Sequence, residues 1–82
     1  MISFTRRLQS GDKWFDFYFI RIRFVNGAKY FIMVPDTTQE FHFIIEKKNG
    51  EWKKNETPKV PQWIDDLEKQ LVDIVIENEK LS

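Results

Sequence analysis

The chain has 82 residues, 41% hydrophobic and 32% charged, with thirteen basic and thirteen acidic side chains and no cysteine. That length supports one hydrophobic core and a single domain over residues 1–82, and the composition lies far from that of disordered chains. Without cysteine there are no disulfides, thiolate metal sites, iron–sulfur clusters or thiol nucleophiles, and zero net charge argues against a surface tuned throughout to polyanions.

Thirteen of the residues are aromatic. Each buried ring removes roughly 150–250 Å² from water, enough to build a core without a metal or disulfide staple. The N-terminal residues lack a basic start followed by an apolar run, and no stretch approaches 18 apolar residues, so a cytoplasmic protein without a membrane segment is expected. Charge is unevenly distributed. Residues 1–59 hold eleven Lys or Arg and seven Asp or Glu, a balance of +4, and residues 60–82 hold two and six, a balance of −4. An acidic helix lying against a basic sheet would account for this, as would an anionic partner on the basic part.

In chain order, Ile2, Phe4, Arg6 and Leu8 alternate with Ser3, Thr5 and Arg7, which predicts a strand ending in the turn Gln9-Ser10-Gly11-Asp12. Trp14–Val25 is rich in aromatic and branched residues, and Asn26-Gly27 with Tyr30–Val34 behind it predicts a hairpin. If Asn26-Gly27 is the two-residue loop, Val25 lies opposite Ala28, Phe24 opposite Lys29, Ile22 opposite Phe31 and Ile20 opposite Met33. The face carrying Ile20, Ile22, Phe31 and Met33 is then the expected core. The other face carries Arg21, Arg23, Tyr30 and Ile32, with Phe15, Phe17, Phe19 and Val34 beyond them.

Val34-Pro35-Asp36-Thr37-Thr38 predicts a strand end and turn, with the next strand starting near Phe41. Phe41, Phe43 and Ile45 alternate with His42, Ile44 and Glu46, and Asn49-Gly50 closes a second hairpin that returns through Trp52 on the side of Ile45 or Lys47. Pro58 and Pro61 bracket a short extended connection. From Pro61 the chain reads as one amphipathic helix: Val60, Trp63, Ile64, Leu67, Leu71, Ile74, Val75 and Leu81 form a stripe, leaving Val72 and Ile76 outside it. The expected fold class is therefore α+β, an antiparallel sheet of four to five strands packed on one C-terminal helix in the order β-β-β-β-β-α.

The residues that usually carry chemistry are sparse. The single histidine, His42, has only Glu40 and Glu46 as nearby acids in sequence. Asp65, Asp66, Glu68 and Asp73 read as a solvated helix side that complements the helix dipole. Gly11, Gly27 and Gly50 each fall in a predicted turn, so no phosphate-cradling loop is formed, and Ser3, Ser10 and Ser82 sit in no nucleophile context. No catalytic residue, cofactor, metal ligand or small-molecule site is expected.

One helix covers one sheet face. The sequence therefore leads to a non-enzymatic interaction module that forms a homodimer or docks a protein partner through Phe15, Phe17, Phe19, Ile32 and Val34, with Val72 and Ile76 as further candidates. A β-bulge near Tyr18 would instead return these rings to a single core. The alternative function is nucleic-acid binding through Arg21, Arg23 and Tyr30, extended by Lys29.

Overall fold

The computed structural model describes residues 2–81. Five strands, β1 (Ile2–Ser10), β2 (Lys13–Phe24), β3 (Gly27–Asp36), β4 (Gln39–Lys48) and β5 (Glu51–Lys54), form one antiparallel sheet in sequential order. A short helical turn, α1 (Gln62–Asp65), and a longer helix, α2 (Glu68–Leu81), follow. The fold is α+β, as the periodicity predicts. The helical region is broken once at Asp66 and Leu67, where Leu67 N–H donates to the carbonyl of Ile64, three residues back, and the last turn of α1 tightens.

The sheet is a meander with short connections. Ser10 lies opposite Lys13, Phe24 opposite Gly27, Asp36 opposite Gln39 and Lys48 opposite Glu51, so each hairpin closes in two residues. Asn49 and Gly50 have φ of 52° and 85°, the positive pair required by the tight loop predicted there. The first Asn-Gly hairpin forms with a different turn. Its loop residues are Val25 and Asn26, and Gly27 is already in β3 with φ 147°, a conformation that only glycine adopts without strain. Every expected pair is accordingly shifted by two: Ile20 lies opposite Phe31, Ile22 opposite Lys29 and Arg21 opposite Tyr30. A shift of two keeps each side chain on its own face, so the apolar pattern does not distinguish the two registers.

Two-residue loops also determine which backbone groups pair. In such a hairpin the flanking residues exchange both hydrogen bonds, and bonded pairs then alternate with unbonded ones. Even residues of β1 thus bond to odd residues of β2, even residues of β2 to odd residues of β3, and so on across the sheet. Pro35 lies beyond the last β2–β3 pair, Tyr18 with Met33, and its partner on β4 is Glu40, an unbonded position. The proline costs no ladder bond there, so β3 continues to Asp36 instead of ending at Val34.

The helices cover the face opposite to the one expected. Phe17, Phe19, Tyr30, Ile32, Val34, Phe43 and Ile45 are buried beneath Ile64, Leu67, Leu71 and Val75. Ile20 and Phe31, expected in the core, are more than a third exposed. No bulge is involved, because β1 and β2 stay in register without a break from Ser10–Lys13 to Ile2–Arg21. The choice is made by the whole sheet. Phe4 and Leu8 of β1, Phe41, Phe43 and Ile45 of β4, and Trp52 of β5 share a side with Phe17 and Phe19. The other side of those strands holds Ser3, Thr5, Arg7, Gln9, Glu40, Glu46, Glu51 and Lys53, and burying so many polar groups without partners would be costly.

Aromatic rings fill the covered side. Trp63 stacks on Phe15 at 4.1 Å between centroids and meets Phe17 and Phe41 edge-on at 6.3 Å. Phe4 stacks on Phe19 at 4.7 Å, and Tyr30 meets Trp52 edge-on at 5.7 Å. Such pairs each add about 0.5–1.5 kcal/mol beyond the area they bury.

Candidate functional site

The structure separates the residues on which the sequence-based expectations rest. Of the seven expected at a protein interface, Phe17, Phe19, Ile32 and Val34 are core, and Phe15 and Val72 are half-buried against it. Only Ile76, on α2, is exposed. An interface built from Phe15, Phe17, Phe19, Ile32 and Val34 is therefore ruled out, since the helix already occupies that face.

The expected anionic site is divided too. Arg21 and Tyr30 lie opposite one another on the covered side and are tied to α2. Glu79 accepts from Arg21 Nε at 2.5 Å and from Nη2 at 3.3 Å, while Tyr30 Oη donates to Glu79 at 2.6 Å and accepts from Asn78 Nδ2 at 2.7 Å. The Arg21 side chain is only 12% exposed. Its hydrogen bonds hold the Glu79 carboxyl below its ordinary range, Glu79 in turn raises the Arg21 guanidinium, and burial raises the Tyr30 hydroxyl. Arg23 shares this side but is exposed, whereas Lys29 lies on the other face over the rings of Phe31 and Phe24.

The same geometry explains the uneven charge. Arg6, Lys13, Arg21, Arg23, Lys47 and Lys54 all fall on the covered side of the sheet. The acidic C-terminal region meets them there, as in Arg21 with Glu79 and in the nearly buried Lys54 with Asp65 at 2.9 Å. Glu68 also accepts the backbone N–H of Lys54.

On the uncovered side, cross-strand register makes one apolar row, Ile20–Phe31–Ile44, across β2, β3 and β4. Tyr18 and Met33 flank it on one side and Ile22 on the other, with Phe24 further along β2. Ile20, Tyr18, Phe31 and Phe24 are exposed by 38–49%. Around Phe31, Ile44, Met33, His42 and Pro58 lies a shallow hollow of about 310 Å³. Apart from Trp14 and Phe24 at the two ends of β2, the rim is polar: Arg7 with Asp16 at 3.1 Å, Lys29 opposite Glu46, and His42 beside Glu40 at 3.4 Å. Its four basic side chains, Arg7, Lys29, Lys48 and Lys53, are balanced by Asp16, Glu40, Glu46 and Glu51.

This face is legible in the sequence in part. Ile20, Ile22, Phe31 and Met33 group on one apolar face there, but as the expected core; only by following β1 and β4 through their hairpins does that face become the open one, with Tyr18 and Ile44 added to it. Among the described residues no helix is long and apolar enough to cross a membrane, and no group of three or more His, Asp or Glu side chains is placed to hold a metal ion. The arrangement defines a small α+β domain with one closed and one open sheet face. Comparison with family models, curated proteins and solved structures finds no match.

Proposed function

We propose that this chain is a non-enzymatic protein-interaction module that works through its open sheet face, with a second copy of itself as the occupant. The observation that carries the reading is the row Ile20–Phe31–Ile44, apolar at its centre and polar at its rim, the layout of protein interfaces. Two features favour a second copy. The charges on this face cancel, so two copies meet without net repulsion. Its size also fits: the five strands hold 45 residues, which at about 4.8 Å by 3.4 Å per residue span about 700 Å², close to the roughly 800 Å² each partner contributes to a standard interface. Sheet-on-sheet packing about 10 Å apart is a common way to close such a face.

Nucleic-acid binding is the less favoured reading. Arg21 and Tyr30 are already engaged by Glu79, and the basic side of the sheet is the one the acidic helix covers. Light scattering coupled to gel filtration tests the proposal with Phe31→Lys, which puts a charge at the centre of the row. The wild type is expected to self-associate at high salt, and Phe31→Lys to lower the mass while leaving the fold intact. A Phe31→Lys protein with wild-type mass would refute it.

A further inference from the structure

We propose a second contact, independent of the open face, in which the β1 edges of two copies pair antiparallel to form a continuous ten-stranded sheet. β1 is a nine-residue edge strand, bonded on one side to β2. Hairpin geometry bonds its even residues to β2, so the N–H and C=O groups of Ser3, Thr5, Arg7 and Gln9 point outward. Natural edges are usually guarded by proline, by charge (lysine above all, or a charge pointing inward), by a bulge or by short length. β1 has no Pro, Lys or bulge and its register with β2 is unbroken over nine pairs; its charges are Arg6, on the helix side, and Arg7, on the open side. The opposite edge is guarded. β5 has four residues, two of them lysines, and Pro58 and Pro61 follow it. One open edge and one guarded edge allow a two-fold pair to form and leave the ten-stranded sheet no open edge to which further strands could add.

Charge identifies the occupant. Where β1 meets α2, a hollow of about 230 Å³ is lined by Arg6, Asp73, Ile74 and Glu77; Asp73 pairs with Lys69 at 3.4 Å, and Glu77 forms no ion pair among the described residues. Arg6 forms no ion pair among the described residues; its Nη1 donates to the outward carbonyl of Thr5 at 3.2 Å, and its guanidinium lies 5.0 Å from the Phe4 ring. A two-fold axis through Thr5 places the partner's Arg6 opposite Phe4, on the helix side and beside this acidic hollow, and the partner's Arg7 opposite Ser3. No arginine then faces another, and each copy brings a second guanidinium to the side on which the other's Glu77 has no ion pair.

The test is light scattering on the full chain as wild type, Thr5→Pro, Phe31→Lys and the double variant, with circular dichroism as a check on folding. Thr5 lies at an unbonded pair with Tyr18, so proline there removes an edge donor and no bond to β2. Thr5→Pro is expected to lower the mass of the wild type and to take Phe31→Lys down to the 10.0 kDa of a single chain. Arg6→Glu, which leaves the backbone intact, is expected to weaken the same association by at least about tenfold, and it decides the matter if Thr5→Pro does not fold. Wild-type mass in a folded Thr5→Pro, or in Arg6→Glu when Thr5→Pro does not fold, overturns the edge contact. If Phe31→Lys changes nothing while Thr5→Pro lowers the mass, the open-face reading falls and the edge contact stands.

Discussion

Glu79→Gln tests how the C-terminal helix is fastened to the sheet. Glu79 accepts two hydrogen bonds from Arg21 and one from Tyr30, and its side chain is 25% exposed. Gln preserves the shape but removes the charge, leaving the mostly buried Arg21 guanidinium without a counter-ion. A hydrogen bond to a charged group contributes about 1.5–3 kcal/mol, and breaking a fully buried pair costs about 3–5 kcal/mol. With partial solvent access, about 2 kcal/mol is expected. For a domain of this size each kcal/mol moves Tm by about 4–8 °C, so Tm should fall by about 8–16 °C at neutral pH. The loss has a pH signature. Because the folded carboxyl lies below its ordinary value of about 4.5, the stabilisation is fully present above that value and disappears as pH falls through the lower, folded one. Melting curves of wild type and Glu79→Gln should therefore differ most near neutrality and converge in acid. A constant difference down to strongly acidic pH, or no difference at pH 7, would show that the ion pair does not fasten the helix.

Two further substitutions probe the core and the first hairpin. Trp63→Ala removes the ring that joins Phe15, Phe17 and Phe41, and should cost about 3–5 kcal/mol, read as a lower urea midpoint; a loss below about 1 kcal/mol would show that α1 is not part of the cooperative core. Gly27→Ala has open space for its methyl group but φ of 147°, so chemical denaturation should show a loss of about 1–3 kcal/mol from backbone strain alone. An unchanged midpoint would show that Gly27 does not hold a positive φ.

The sequence by itself determined the five strands and the C-terminal helical region in their order, but not the break at Asp66 and Leu67 or the run of β3 through Pro35. Period-2 alternation in residues 2–8 and 41–46, paired positive-φ residues at Asn49-Gly50 and the 3.6-residue stripe from Trp63 to Val75 are local signals, each set by steric limits or side-chain spacing within a few residues. The opposite charges of the tail and the sheet were also readable, but charge alone left an anionic partner on the basic part as an alternative. Two things needed the tertiary structure. The register at residues 24–27 depended on where the one conformation that only glycine tolerates falls, since a two-residue shift leaves the hydrophobic pattern unchanged. Which face of β2 and β3 is closed depended on all five strands at once. Both faces of that hairpin are apolar, and only β1, β4 and β5, with Phe4, Leu8, Phe43 and Trp52 on one side and Thr5, Arg7, Glu46 and Lys53 on the other, made the helix cover Phe17 and Phe19 and leave Ile20 and Phe31 to water. That decision is a sum over side chains far apart in the chain, so it belongs to packing.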